Sequence, residues 1–377
     1  MPSSLMLLTY PFRPDPRVFR EARALTRHGI KVHLIAWDRD LGKRHQVDEN
    51  GVDVVRVGPR CPYRSAGKVI SRLPRFWLNV LRESRRIDFD IIHCHDFDTL
   101  PLGMLISRLR GKPVLYDAHE IYSAMIRKDV PGVADIVWKK EKYISGKAEE
   151  IITVNESLAE TLSKGRKTPA RIVRNSPDAD ILDGAYPEAI RQRHNLRGFV
   201  VSYLGSLEPG RFVEDLISIF EPSEKAVLAV AGNGTLRSQV EDAASTNKSI
   251  RFLGTLDADE ALRVTLASDL VVAMLDPTNP NYKVSTPVKV LDAMACGRPV
   301  VTSQGLDISR TVESVGCGFV IPYERGAFKE TLEKAIASPK LLAEMGRKGK
   351  AHFDKDLSWE HSESELLKAY KALSGRA

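Results

Sequence analysis

Residues 270–303 read LVVAMLDPTNPNYKVSTPVKVLDAMACGRPVVTS, from Leu270 to Ser303. Two apolar runs, Leu270 to Leu275 and Val300 to Ser303, flank a full set of helix signals. Thr286 is placed to be an N-cap with Pro287 at the first helical position, and Gly297 and Pro299 punctuate the end. Strand, helix, strand is the repeating unit of a parallel sheet. A helix starting here presents unpaired N–H groups from Thr286, Pro287 and Val288 onward, and Lys289 adds a charge in the first turn. Together these suit a diphosphate. Asp292 lies about one turn on, and its side chain leans back toward the helix start, so its carboxylate can accept from a ribose diol. Thr286 and Pro287 could equally do no more than begin a helix, with Asp292 on a solvated face.

The same alternation extends in both directions. Toward the N-terminus the apolar runs are Leu5–Thr9, Lys31–Ala36, Val52–Val57, Ile91–Cys94, Val114–Asp117, Ile151–Val154 and Arg171–Val173, followed by Val200–Leu204, Ala226–Ala231 and Ile250–Leu253. Gly318–Ile321 closes the series. Amphipathic stretches separate most of them, which predicts an α/β protein with two Rossmann-like, doubly wound domains facing a cleft at the carboxyl ends of their strands. The polar, Pro-containing stretch before Val200 marks the division. The expected organisation is an N-terminal domain over 1–178, a linker over 179–197, a C-terminal domain over 198–355, and a final helix over 356–377 that returns toward the N-terminal domain.

Composition narrows the function. The chain has 377 residues, 43% apolar and 28% charged, which is ordinary for a globular protein with a sizeable core. Its four cysteines, Cys61, Cys94, Cys296 and Cys317, form no C-x-x-C pair, against a zinc ribbon or disulfide scaffold. No apolar run is long enough for a spanning helix and no export signal is visible, so a cytoplasmic location is expected. Residues 1–177 carry 32 Lys and Arg against 21 Asp and Glu, whereas the remainder carries 24 against 28. The first half is therefore suited to anionic partners. The loop after the first strand, Tyr10 to Arg17, contains no glycine, and Gly232-Asn-Gly234 lacks the third glycine of a dinucleotide fingerprint. A nicotinamide dehydrogenase is a poor reading.

The run Pro287-V-K-V-L-D-A-M-A-C-G-R-P-V-Val301 resembles the donor-site signature of retaining glycosyltransferase family 4, whose members have the GT-B fold. Further pieces match that family in order: Asp15-x-Arg17-V-x-x-Glu21, Asp90-I-I-H-x-His95-Asp96, Tyr116-D-A-His119-Glu120, Thr153-V-N-Glu156, Asn175-x-Pro177-Asp178, Tyr203-L-Gly205, Gly232-x-Gly234, Phe252-L-Gly254 and Leu357-S-Trp359-Glu360. The resemblance spans essentially the whole chain. It implies a UDP- or GDP-linked sugar donor on the C-terminal domain, bound by Ser206, Arg211, Gly232, Gly234, Leu256, Thr286, Pro287, Val288, Lys289 and Asp292. Arg211, Lys289 and the helix start would stabilise the leaving diphosphate without a metal or other cofactor. His119 would sit beside the transferred sugar. Asp15, Arg17, Asp96 and Glu120 would line the acceptor side, with Asp96 or the donor phosphate taking the hydroxyl proton. Two departures stand out: the family's paired glutamates are Val284 and Asp292 here, and the arginine expected after Gly205 is Ser206.

The resulting expectation is a sugar transferred with retention to a hydroxyl of a glycan or lipid-linked acceptor. An epimerase or hydrolase of the same fold, and a non-catalytic nucleotide-sugar or glycan-binding subunit, remain the alternatives. Nucleic-acid binding lacks an aromatic and basic platform. Alternate residues of His93-C-His95-D-F-Asp98 share a face, yet the family strand accounts for them without a metal. From Arg60 to Arg86 the chain has eight basic residues and one acid. Arg64, Lys68, Arg72 and Arg75 recur at helical spacing, opposite an apolar side of Val69, Leu73, Phe76, Trp77, Val80 and Leu81. Such a helix either lies on an anionic membrane surface, making the protein peripheral at the inner face, or packs on its own sheet.

Overall fold

The computed structural model describes residues 2–12, 15–40, 42, 44–62, 66–123, 131–222 and 225–375. The chain forms two compact units, one of Met1–Arg174 with Ser362–Ala377, the other of Asn175–His361.

In unit 1 the strands are β1 (Ser3–Leu8), β2 (Lys31–Trp37), β3 (His45–Val47), β4 (Asp53–Val57), β5 (Ile91–His95), β6 (Val114–Ala118), β7 (Glu150–Thr153) and β8 (Arg171–Ile172). The helices between them are α1 (Pro16–Arg27), α2 (Ala66–Ser84), α3 (Leu100–Arg110), α4 (Pro131–Ser145) and α5 (Glu156–Ser163). They build one sheet in the order β3-β4-β2-β1-β5-β6-β7-β8, parallel except for β3. The central strands are buried on both faces, which explains why they read as near-continuous apolar runs. One face carries Leu5, Leu7, Ile92, Cys94 and Tyr116 against α2, α3 and α4. The β1/β5 junction, where the chain reverses its direction across the sheet, is the switch point at which such folds place ligands.

Unit 2 opens with a 3₁₀ turn (Ala179–Leu182) and α6 (Pro187–Arg193), then β9 (Phe199–Leu204), α7 (Val213–Ile219), β10 (Ala226–Ala231), α8 (Arg237–Thr246), β11 (Ile250–Phe252), α9 (Ala258–Leu266) and β12 (Leu270–Val272). It continues with α10 (Pro280–Val284), α11 (Val288–Ala295), β13 (Val300–Ser303), α12 (Asp307–Val315), β14 (Gly318–Ile321), α13 (Arg325–Ala337) and α14 (Pro339–His352). Its sheet runs β11-β10-β9-β12-β13-β14, and every pairing in it is parallel. The switch point lies between β9 and β12.

One expectation needs correction, one strand is new, and one pair of alternatives is decided. Residues 179–197 are not a linker: Ile190 and Leu196 are buried against Val200, Val227 and Val264, so this polar segment docks by two apolar anchors and belongs to unit 2. β3 has no counterpart in the sequence reading, because a three-residue exposed edge strand shows no apolar period. The apolar side of α2 is spent on the core: Phe76 stacks on Trp37 with centroids 4.9 Å apart, and Trp77 donates to the Asp98 carbonyl at 3.1 Å. Arg64 lies outside the described residues. The last helix, α15 (Trp359–Ser374), contributes to unit 1 from Ser362 onward. There the Tyr370 hydroxyl lies 2.7 Å from Ser4 Oγ and 3.0 Å from His93 Nδ1.

Candidate active site

In unit 1 the charged residues gather where β5 and β6 end. Parallel register puts His95 beside Asp117. Asp117 is fully buried and accepts from Arg17 Nε at 3.0 Å and Nη2 at 2.6 Å, from His95 Nδ1 at 3.1 Å and from His119 Nε2 at 2.8 Å. Burial opposes this charge, but Arg17 and then His119 hold Asp117 well below the usual carboxylate range. Arg17 Nη2 also meets Glu21 at 3.1 Å, and Nη1 donates to the Val173 carbonyl at 2.6 Å. Burial, followed by the Asp117 charge, raises Glu21, while burial and the His95 ring lower His93.

Glu21, His93, His95 and Asp117 each bring an oxygen or nitrogen within 4.8 Å of the others. The Arg17 guanidinium, bonded to both carboxylates, supplies positive charge to that group.

His119 and Asp96 form the accessible edge of this network, each with 20% of its side chain exposed. His119 Nδ1 lies 3.4 Å from Asp96 Oδ2. Burial disfavours the charged ring, yet Asp96 and Asp117 together push His119 up to about 10, so it is an imidazolium at neutral pH. Asp96 sits at φ 61°, a left-handed conformation that Asp tolerates better than most residues. Its backbone N–H is tied to the Asp117 carbonyl at 2.9 Å.

Other expected positions take different roles. Asp15 caps α1, accepting from the Arg17 and Val18 N–H groups at 3.1 Å. Arg17 is enclosed at 3% exposure, so it orients Asp117 instead of lining an acceptor surface. Glu120 is exposed beside half-buried His119 in the chain. Asp98, which the sequence offered only as part of a minor metal reading, is buried with Thr9 Oγ1 donating to it at 2.7 Å. Burial and the Asp96 charge push it up to about 7.

In unit 2 the candidate residues sit after β9, β10, β11 and β12. Lys289 Nζ stands 3.5 Å from the centroid of the Tyr203 ring, and the Arg211 guanidinium lies 5.1 Å from that of Tyr282. Burial and the Arg211 charge drive Lys289 well below its ordinary value, with Asp292 acting in the opposite direction. Among the described residues, neither Lys289 nor Arg211 has a salt-bridge partner. Arg211 is held by its neighbour: buried Phe212, at φ 63°, donates its N–H to the Tyr323 hydroxyl at 2.9 Å. A bulky residue in that conformation is strained, and nothing in the sequence signals it.

The glycines serve close packing. A Cβ on Gly232 would stand 1.7 Å from the Gly205 carbonyl oxygen, and one on Gly234 would stand 2.1 Å from that of Leu207. They seat the loop after β10 against the loop containing Ser206, whose carbonyl accepts from the Tyr203 hydroxyl at 2.6 Å. The helix start is shifted by one residue: Pro287 is the N-cap with ψ 125°, and Val288 is the first helical residue. The proline ring fixes φ but leaves ψ free, and the preceding Thr286 is driven out of helical conformation. Thr286 and Asp292 are half-buried, and Val288 is exposed. Leu256 packs beside the cluster of Val200 and Val227, and Val284 ends α10.

Residues 17–180 match the family described as Glycosyltransferase Family 4, and residues 198–338 match Glycosyl transferases group 1. The chain belongs to glycosyltransferase family 4. It is an enzyme that transfers sugars from nucleotide-sugar donors, with the two parallel-sheet α/β domains of the GT-B fold. A D-inositol 3-phosphate glycosyltransferase of Gordonia bronchialis is 25% identical, over 94% of this chain and 82% of the relative. Sucrose-phosphate synthase of Thermosynechococcus elongatus has a TM-score of 0.79 at 17% identity, with both chains fully covered. Anabaena HepE, solved with UDP and glucose, has a TM-score of 0.75 at 17% identity over 98% of this chain and all of that one. This glycosyltransferase therefore carries its candidate residues on strand-to-helix loops and the helices that follow them in both sheets, with Val284 and Ser206 where the family signature has charged side chains.

Proposed function

We propose that this glycosyltransferase binds a UDP- or GDP-linked sugar on unit 2 and transfers the glycosyl group, with retention, to a hydroxyl of a glycan or lipid-linked acceptor on unit 1. The observation that carries this reading is the pair of cations without a salt-bridge partner, Lys289 and Arg211, beside the start of α11. Two half-buried basic side chains with no salt-bridge partner among the described residues form a site that an anion can complete.

In the reaction the bond between the anomeric carbon and the diphosphate oxygen breaks, and the electron pair leaves with the nucleotide. Lys289, Arg211 and the helix start meet that charge, so no metal is called on. The acceptor oxygen bonds to the anomeric carbon, and its proton passes to the donor phosphate or to Asp96. His119, held as an imidazolium by Asp117, donates to a sugar hydroxyl. Asp292 takes the ribose diol; with Val284 in place of an acid, sugar selection falls to other groups. An anionic membrane at the cytoplasmic face is the setting that the basic first half favours.

Calorimetric titration with UDP, GDP and ADP tests the reading, beginning with UDP because it is the nucleotide in the HepE complex. One nucleotide is expected to bind selectively, and Lys289→Ala to abolish that binding. Failure of all three, with sugar conjugates and acceptor analogues also silent, would leave a non-catalytic subunit as the reading.

A further inference from the structure

Unit 1 has a second charged surface that the reaction does not use. α2, α3 and α4 lie side by side on one face of its sheet and turn their apolar sides into a common core. Their outer sides are not purely polar. Ile70 and Leu78 on α2, Leu105 and Leu109 on α3, and Ile136 and Tyr143 on α4 are 42–66% exposed. They make up six of the eleven large apolar side chains exposed among the described residues. Isolated exposed apolar residues need no explanation, but this concentration does.

The same three helices carry nine Lys and Arg against three acids. All three acids are engaged: Glu83 pairs with Arg44 and Arg86, buried Glu141 accepts from the Tyr122 and Ser123 N–H groups at 3.0 and 3.2 Å, and Asp135 has an interaction of its own. Arg108, Lys139, Lys140 and Lys142 have no salt-bridge partner among the described residues. Tyr143 lies on the exposed side of α4. Lys147 donates to its hydroxyl at 2.7 Å, and this bond, with the more distant Arg108 charge, lowers the phenol.

We propose that the outer layer of α2, α3 and α4 docks on an anionic lipid bilayer, with Leu109, Ile136 and Tyr143 entering the headgroup boundary and Lys139, Lys140 and Arg108 facing lipid phosphates. Apolar and aromatic side chains interspersed with unneutralised cations are the composition that an anionic interface takes up. A protein partner would need complementary acids as well as shape, whereas a lipid surface needs only this mixture. The face differs from the one the sequence suggested, since Phe76 and Trp77 lie on the core side of α2. The inference gives the lipid-linked acceptor reading its place on the molecule and rests on that reading for its purpose; membrane binding itself requires no donor.

The test is co-sedimentation of the full chain with vesicles of phosphatidylglycerol and phosphatidylcholine, and with phosphatidylcholine alone. Binding is expected only to the anionic vesicles, weakening as salt rises from 0.1 to 0.5 M, both figures bracketing the range where screening becomes strong. Lys139→Gln with Lys140→Gln should weaken it about 30-fold, at roughly fivefold for each cation near the surface. Leu109→Ser with Tyr143→Ser should weaken it at least as much, and Tyr186→Ser, exposed on unit 2, should leave it unchanged. Unaltered circular dichroism and unaltered transfer to a soluble acceptor separate these effects from misfolding. No binding to anionic vesicles, or equal binding by all variants, overturns the proposal. A dimer that Leu109→Ser with Tyr143→Ser disrupts, without vesicle binding, would assign the face to a second copy instead. Vesicle binding with no transfer to any acceptor would count against the proposed reaction and not against this face.

Discussion

The two half-sites handle charge in opposite ways. In unit 1, Arg17, Glu21, Asp117, His95, His119 and Asp96 are interlocked, so that each buried charge meets an opposite one within about a hydrogen bond's length. In unit 2, Lys289 and Arg211 rest against aromatic rings with no salt-bridge partner among the described residues. A site for a neutral sugar and hydroxyl can neutralise itself in advance, because its ligand brings no charge. One for a diphosphate must leave its cations open, since pairing them internally would remove the attraction that binds the ligand and stabilises its departure.

Four experiments break or sharpen this contrast. Arg17→Met should strand Asp117 and Glu21 and destabilise unit 1 by about 3–5 kcal/mol, read as a lower urea midpoint. A silent Arg17→Met would mean that the interlocked network is not what holds unit 1.

Lys289→Ala should do the reverse. Stability should change by no more than about 1 kcal/mol, the lost contact with Tyr203 being offset by relief of an uncompensated cation. Turnover should fall about 10²- to 10³-fold in single-turnover assays, the scale for removing one transition-state stabilising group.

The third uses pH. The pKa of His119 is raised from 6.5 to about 10 in the folded protein. Its stabilising contribution is therefore complete below the unfolded value of 6.5 and is lost as pH rises through about 10. Urea titrations across that window should show wild-type stability declining relative to His119→Gln, and parallel curves would remove His119 as the charged edge of the network.

The smallest effect belongs to Tyr370→Phe, which removes the hydroxyl between Ser4 and His93. It should cost about 1–2 kcal/mol, with nucleotide affinity on unit 2 unchanged by calorimetry.

The strand runs were legible because a strand buried on both faces needs near-continuous apolar sequence; Ala226–Ala231, Val300–Ser303 and Gly318–Ile321 have the boundaries the runs suggested. Elements without that constraint were not. β3 has no buried side chain, and α6 docks through only Ile190 within its own length. Lys289 was legible as a first-turn cation because the Pro and Gly boundary signals are local, accurate to one residue at Pro287. Asp117, Glu21 and Tyr370 were not singled out as site residues. Their partners lie 100, 4 and 277 positions away respectively, and only the pair at helical spacing leaves any local trace.

The sequence by itself determined the alternation of strand and helix, the two-sheet organisation and the place of Lys289 in the first turn of its helix, since these follow from short-range periodicity and from motifs contiguous in the chain. The tertiary structure alone decided which charges are neutralised and which remain open. Arg17 reads as a loop cation until parallel register sets Asp117 beside His95 and within its reach, and α2 leaves a membrane surface and its own sheet both open until packing commits its aromatic side to the core. The reason is physical: the charge state and exposure of a side chain depend on its neighbours within a few ångströms, and in a doubly wound sheet most of those neighbours come from distant strands.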